Sequence, residues 1–471
     1  MKNQGIHFFS VRGRYFAYHI DSTACVELDS LASQWLPAVV EGATPPLPEA
    51  LIGRYSPEAV DACAEQCCDL LARGPFSKSL PPYEHHQQQE LLAATLHISH
   101  QCNLACRYCY ADTGSFGKDR KLMKKEVVFK ALDFVFAQAR KGGELNIGFF
   151  GGEPILNYRG ICEGVKYARN CAARFGNKVS FSLTSNATLL TEDIMKMLSS
   201  EKFSLIFSLD GPPEIHDRMR QTRSGAATQA RVLQNVLDYQ RQFGDEFTVR
   251  GTFTAITPEF SQQVVYLNEQ GFKNVSVEPA QLDPSHPGAI VTPEQIAQIK
   301  EEYEHLAEIF LAWFDQGSYL HFFHFDDCLR RLLKPRPKYT ECGAGGGFIA
   351  IIPDGRIFPC FEAVMEDRNC IGHIDSGFDP VKRAVFQRMY VGAKDTCRSC
   401  WLKHACGGGC HAFNIRYNGT IDKPYEPQCE FLRHRHMTSA WLLSEINARG
   451  KEAVERLQGY LGIRSAGKSG Q

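Results

Sequence analysis

The chain has 471 residues, with 52 Lys and Arg against 53 Asp and Glu. A formal charge of −1 gives no global pull toward nucleic acid. Hydrophobic residues are 44% and charged residues 22%, which excludes a wholly disordered chain and predicts two or three domains. No apolar run reaches the 18 or so residues that span a bilayer. Arg12 and Arg14 interrupt the apolar N-terminal stretch, making it a poor signal peptide. The expected place is the cytoplasm, away from membranes. There the 18 cysteines read as metal ligands, reactive thiols or small buried hydrophobes rather than as a disulfide framework.

Residues 6–20 alternate and are rich in aromatics, which predicts a hairpin turning near Gly13. A helix is predicted to open after Leu28, with Asp29 or Ser30 as its cap. The proline run at 45–48 breaks it. A second helix is predicted over 56–73, with Ser56 as cap and Pro57 at the first position. A polar linker follows at 81–89. Beyond it, strands are predicted at 95–99, 145–150, 179–184, 205–208, 248–254 and 275–278, alternating with helices such as 124–140 and 229–243. Six β-α alternations imply an α/β fold on a parallel sheet, with ligands at the carboxyl ends of its strands. Residues 340–430 turn Gly- and Cys-rich. A polar helix over 433–449 and a Gly/Ser-rich tail close the chain. The implied domains are 1–85, 86–315, 316–432 and 433–471.

Cys102, Cys106 and Cys109 form C-x3-C-x2-C directly after the first strand of the α/β region. Three thiolates on one loop can hold three irons of a [4Fe–4S] cube and leave the fourth iron open to a substrate or cofactor. Zinc is the alternative, with His97 or His100 completing its ligands.

The motif, with Tyr108 before its last cysteine, resembles that of the radical S-adenosylmethionine (SAM) enzymes. The resemblance implies a partial (β/α)6 barrel, SAM chelated by the open iron, and a 5′-deoxyadenosyl radical that abstracts hydrogen. Further positions match in chain order. Gly151-Gly152-Glu153-Pro154 resembles the segment that receives the SAM amino group. The turn at 184–188, with Ser185 and Asn186, resembles the family's turn after the third strand. Ser208 and Asp210 stand where the family faces the ribose. His216, Asp217, Arg220 and Gly225 extend the match. Arg250 is the candidate partner of the SAM carboxylate, and Tyr108 of the adenine.

A second cysteine set runs Cys342, Cys360, Cys397, Cys400, Cys406, Cys410 and Cys429, with Gly355 five residues before Cys360. It resembles the SPASM domain of peptide-modifying radical enzymes, and a zinc-ribbon module is the alternative. The resemblance implies two auxiliary [4Fe–4S] clusters. Cys342, Cys360 and Cys410 would hold the first, and Cys397, Cys400, Cys406 and Cys429 the second. For the first cluster's fourth ligand the candidates are Cys328, Cys370 and a cysteine of the substrate. Cys63, Cys67 and Cys68 fall at helical spacing and read as core or interface.

The N-terminal region resembles the PqqD-like element that takes the leader of a precursor peptide as an added strand. Together these resemblances imply an enzyme that installs a cysteine-derived thioether in a ribosomally made peptide. Its electrons would come from a flavodoxin- or ferredoxin-type donor. The segments 111–117 and 406–414 are similar to those of thioether-forming maturases. A sulfatase-maturase role is the second reading, although that family places an Asp after the cysteine where this chain has Phe361, then Glu362. Carbon–carbon bond formation on a peptide is a third. A non-catalytic Fe–S or zinc regulator is the alternative of another class.

Overall fold

A computed structural model describes residues 5–41, 54–84 and 90–463. The proline run at 45–48, the linker at 85–89 and the end of the tail lie outside these. At the N-terminus, β1 (Ile6–Val11), β2 (Arg14–His19) and β3 (Cys25–Leu28) form an antiparallel sheet in that order. Arg12 and Gly13, at φ 49° and 78°, close the predicted hairpin with the doubly left-handed turn that suits strand twist. The third strand was not predicted, because four residues are too few to show an alternation. Asp29 Oδ1 accepts from the amides of Leu31 and Ala32, at 2.9 and 2.7 Å, and so starts α1 (Ala32–Val40). Ser56 Oγ accepts from the Ala59 amide at 3.2 Å and starts α2 (Pro57–Ala72), as predicted. Cys63 and Cys67 face the small core beneath this sheet, and Cys68 is exposed.

Six parallel strands follow: β4 (Ala93–Ser99), β5 (Glu144–Gly151), β6 (Lys178–Ser185), β7 (Ser204–Ser208), β8 (Phe247–Phe253) and β9 (Val275–Pro279). All six predicted strands are present. Their inner residues, such as Leu96, Ile98, Ile147, Phe181, Phe207 and Val249, are fully buried, as in a sheet covered on both faces. The covering helices are α3 (Lys125–Gln138), α4 (Tyr158–Phe175), α5 (Glu192–Ser200), α6 (Pro213–Met219), α7 (Gln229–Phe243) and α8 (Phe260–Glu269), then α9 (Pro293–Asp315) and α10 (Phe323–Leu333). The strands pair in chain order. Every crossover therefore returns to the adjacent strand, as in a barrel, and no order reversal marks a doubly wound sheet. β9 ends the order, so the barrel is open.

β10 (Phe348–Ile351) pairs parallel to β4. β11 (Arg356–Phe358), β12 (Gly372–His373) and β13 (Gly377–Phe378) continue antiparallel, giving one ten-stranded sheet. The Cys-rich region thus grows from the free edge of β4, across the boundary the sequence suggests at 315/316. Strands of two to four residues in a Gly-rich stretch carry no readable period. Then come α11 (Pro380–Gln387), α12 (Asp395–Arg398), α13 (Lys403–Cys406) and α14 (His411–Asn418). The polar helix predicted over 433–449 is α15 (Glu426–Ala448). It is not polar in its setting: it buries Phe431, Trp441, Leu442 and Ile446, with His436 and Ser439, against α9 and α10. A helix buried on several sides loses the one-sided stripe that periodicity detects. A last helix, α16 (Lys451–Tyr460), occupies part of the expected tail. Among the described residues no helix is long and apolar enough to cross a membrane.

Candidate functional site

The loop after β4 carries Cys102, Cys106 and Cys109 across the carboxyl end of the sheet. Backbone bonds fix it to the end of α6 and the residues just after: Arg107 N to Met219 O and Ala105 N to Gln221 O, each 2.8 Å. Farther along, Asp112, Thr113, Gly114 and Phe116 all have positive φ, three of them without being glycine. Such strain persists only where the surroundings impose it. Its product is a concave turn whose amides at Ala111, Thr113 and Gly114 donate to the Cys109 thiol and oppose the upward pull of burial on its pKa.

The motif at 151–154 closes against this loop. A Cβ on Gly152 would lie 2.3 Å from the Gln101 carbonyl, and one on Gly114 would lie 2.8 Å from Cys102 Cβ. Only glycines allow that approach. Glu153 is fully buried. Its Oε1 accepts from the Ile155 amide and Ser185 Oγ, and its Oε2 from the Asn186 amide, at 3.0, 2.9 and 2.7 Å. The carboxylate thus joins the strand ends of β5 and β6, with Pro154 opening the short turn behind it. Asn186 Nδ2 continues to Asn103 at 2.9 Å and reaches Cys102 Sγ at 3.8 Å.

Tyr108, Asp210 and Arg220 form a buried triangle. The Tyr108 hydroxyl donates to Asp210 Oδ2 at 2.5 Å and accepts from Arg220 at 2.7 Å. Asp210 Oδ1 takes the Thr252 amide at 3.1 Å. Burial raises the Asp210 pKa to about 6 against the pull of Arg220. Arg220 Nε has no partner although buried. Its charge acts on Cys102, Cys106 and Cys109. His216 Nδ1 accepts the Asp210 amide at 3.1 Å. Asp217 caps α7 through the amides of Thr228 and Gln229, both 2.8 Å. Ser208 is half-buried at the end of β7, and Arg250 is exposed on β8. His97 and His100 contact each other at 3.3 Å under Phe116, and burial lowers both their pKa values.

Cys342, Cys360 and Cys410 converge where the Cys-rich region meets the barrel. Cys360 feels both other thiols, and Cys410 takes the amides of Ala412 and Phe413. Neither interior candidate for a fourth ligand is among them. Cys328 sits on α10 beside Arg435 and Ser439 of α15, and Cys370 donates to the Gly372 carbonyl at 3.3 Å. Tyr110, Glu362 and Arg416 complete this chamber and carry no motif. Tyr110 lies between Cys109 and Cys360, under the Arg416 guanidinium at 5.5 Å. Glu362 faces Tyr110, Arg250 and Arg416, and burial raises its pKa to about 7. The Tyr110 hydroxyl and the Glu362 carboxyl face each other, and among the described residues neither has a partner beyond this pair.

Cys397 of α12, Cys400 just after it, Cys406 of α13 and Cys429 of α15 line one cavity together with Gly408, Gly409 and Arg433. Gly407, Gly408 and Gly409 all have positive φ, and the last two direct their amides at Cys406. Among the described residues no three His, Cys, Asp or Glu side chains meet as the ligands of one metal ion do. The loop thiol with its three amide donors, the unpartnered Arg220 Nε and the four-cysteine cavity fit iron–sulfur clusters, whose thiolates are spread over several irons and accept N–H bonds.

Residues 96–254 match the model of the Radical SAM superfamily. The cysteine-type anaerobic sulfatase-maturating enzyme of Clostridium perfringens strain 13 is 26% identical over 329 residues, 66% of this chain and 85% of that relative. Among solved structures, native anSMEcpe with bound AdoMet superposes at TM-score 0.64 and 22% identity, covering 76% of this chain and all of that one. Streptococcus suis SuiB bound to S-adenosylmethionine superposes at 0.51 and 16% identity, covering 89% of this chain and 97% of that one.

Proposed function

Residues 96–254 are a radical SAM domain, and from that premise we propose that the chain modifies a ribosomally made peptide by joining a cysteine sulfur to a carbon of another residue. Its cofactors are SAM and a [4Fe–4S] cluster on Cys102, Cys106 and Cys109. When bound, they supply a 5′-deoxyadenosyl radical that abstracts hydrogen. The chain supplies position and charge. Since the Glu153 carboxylate is committed to Ile155, Ser185 and Asn186, the SAM ammonium falls to the backbone of the Gly151–Gly152 turn. Asp210 is committed to Tyr108 and Thr252, which leaves Ser208 for the ribose. The Tyr108 ring, packed among Met219, Leu282 and Ala289, backs the adenine. Arg250 faces the carboxylate.

The observation that carries the thioether reading is the incomplete first auxiliary set. Three cysteines meet beside the chamber of Tyr110 and Glu362; Cys328 is held on α10 beside Arg435 and Ser439, and Cys370, packed in the same cluster as Tyr110 and Phe361, gives its thiol proton to the Gly372 carbonyl. Cys342, Cys360 and Cys410 would leave a cluster there one ligand short, and a substrate thiolate would complete it, since coordination favours the deprotonated thiol. The other four cysteines hold the second auxiliary cluster. Residues 1–85 bind the leader at the outer edge of β3, which pairs with β2 on one side only. A flavodoxin- or ferredoxin-type protein donates the electrons.

The second reading is a sulfatase-maturase role, oxidation of a cysteine or serine to formylglycine; the Clostridium relative is named a cysteine-type anaerobic sulfatase-maturating enzyme. Glu362, buried in the same chamber with its pKa raised to about 7, favours it. Anaerobic enzyme given SAM, a strong reductant and candidate cysteine peptides separates the two by mass spectrometry. A thioether peptide loses two hydrogens and keeps its sulfur, whereas formylglycine formation from cysteine loses the sulfur. Joint replacement of Cys102, Cys106 and Cys109 by Ala is expected to abolish both the product and 5′-deoxyadenosine. Turnover that survives this replacement would refute the proposal.

A further inference from the structure

A buried cation lies between the two auxiliary cysteine sets. Lys394, just before α12, has no exposed surface. Its Nζ donates to the Gly408 carbonyl at 2.6 Å. Gly408 lies midway between Cys406 of one set and Cys410 of the other. A Cβ at that glycine would stand 3.5 Å from both Lys394 Cδ and Nζ. The anionic groups that act on the ammonium are Cys397 and Cys406, then Cys410 and Cys342. The side chain thus addresses two cysteines of each set.

A buried ammonium without an anionic partner is costly, and so is a buried cluster held by thiolates, which carries net negative charge. Placed side by side, each offsets the other. A fixed positive charge favours the reduced, more negative form of a cluster, and net charge and hydrogen bonding are the levers by which a protein sets its potential. We propose that Lys394 is the shared counter-charge of both auxiliary clusters and raises both reduction potentials together. The inference rests on assigning clusters to these seven cysteines.

The test is an EPR-monitored redox titration of the full chain in the Cys102→Ala, Cys106→Ala, Cys109→Ala background, which isolates the auxiliary signals. Lys394→Gln keeps a donor for the Gly408 carbonyl and removes the charge. Lys394→Arg keeps the charge. Lys394→Gln is expected to lower both midpoint potentials with iron content unchanged, and Lys394→Arg to hold both near the parent values. Unchanged potentials in Lys394→Gln, or movement of only one, would overturn the inference. If Lys394→Gln loses iron, Lys394→Arg decides: retained iron and parent-like potentials support the shared charge, and equal loss of iron overturns it. Zinc in place of auxiliary iron in the parent protein would instead defeat the cluster assignment, and the inference with it.

Discussion

His436 on α15 shows what burial does to a single titratable side chain. Its ring lies edge-on to Tyr18 at 5.2 Å and to Trp401 at 5.9 Å, and its Nε2 has no partner. Burial, then the charges of Arg435 and Arg331, lowers its pKa from 6.5 to about 4. The unfolded chain therefore takes up a proton near pH 6.5 that the folded chain refuses until about pH 4. Stability from this group is complete above pH 6.5 and is lost as the pH falls through that window. At pH 5 the loss is about 2 kcal/mol. His436→Phe keeps an aromatic ring between Tyr18 and Trp401 and removes the titration. Urea unfolding at pH 8 and pH 5 is expected to show a smaller acid loss in the variant than in the parent chain, by about that amount. An equal loss in both would place the acid sensitivity elsewhere. The Tyr108–Asp210–Arg220 triangle poses the same question under the radical site. Arg220→Met would leave Asp210 buried without its cation, and such broken pairs cost about 3–5 kcal/mol. A thermal melt of the metal-free protein should show that loss, whereas a drop of only a few tenths of a kcal/mol would mean that Tyr108 and Thr252 alone hold the carboxylate.

Between elements, backbone contacts decide more than side chains. Gly152, on the loop after β5, and Gly114, on the cysteine loop, have their backbones in contact. Gly152→Ala would drive a methyl group into the Gln101 carbonyl and displace the loop that holds Cys102. With the three clusters proposed above, the folded protein should keep its auxiliary iron and lose that of the Cys102 loop, about one third of the total. Iron analysis beside a 5′-deoxyadenosine assay measures this, and full iron with normal activity would show that the loop yields. This part of the site was legible because spacing states it: C-x3-C-x2-C, then Gly-Gly-Glu-Pro at a strand end. The six strands were legible for a similar reason, each being an apolar run bounded by turn residues. What was not legible lacks local pattern. The triangle joins residues 102 and 112 positions apart. The left-handed backbone at Asp112, Thr113 and Phe116 has no glycine to announce it. β10 to β13 are too short to show a period, and α15 hides among polar residues the packing that surrounds it. Lys394 looks like any surface lysine until the fold encloses it.

For the whole molecule, the decisive contact is that of the N-terminal sheet with α15 and with Trp401, beside Cys400 just after α12. Arg14 bridges Glu445 of α15 and Glu27 of β3, both at 2.6 Å, and Ser444 donates to Glu27 at 2.5 Å. The Arg12 guanidinium lies 4.4 Å over the Trp441 ring. His7 stacks on Trp401 at 4.5 Å, and Trp401 follows Cys400 directly. Exposed ion pairs are worth little one by one, about 0–1 kcal/mol, while a stacked aromatic pair adds about 0.5–1.5 kcal/mol beyond its buried area. The stack is therefore the contact to break. The leader binding proposed for the N-terminal sheet would keep the rest of the peptide at high effective concentration near the chamber only while that sheet is fixed in place. Trp401→Ala is expected to raise hydrogen exchange across residues 6–19. It should also lower peptide turnover about tenfold at subsaturating peptide, a loss of about 1.4 kcal/mol, while SAM cleavage without peptide stays within about twofold. Saturating peptide should restore most of the rate, since a loss of effective concentration is overcome by mass action. Equal loss of peptide turnover and of SAM cleavage would instead mean that Trp401 matters to the neighbouring cluster and not to where the leader is held.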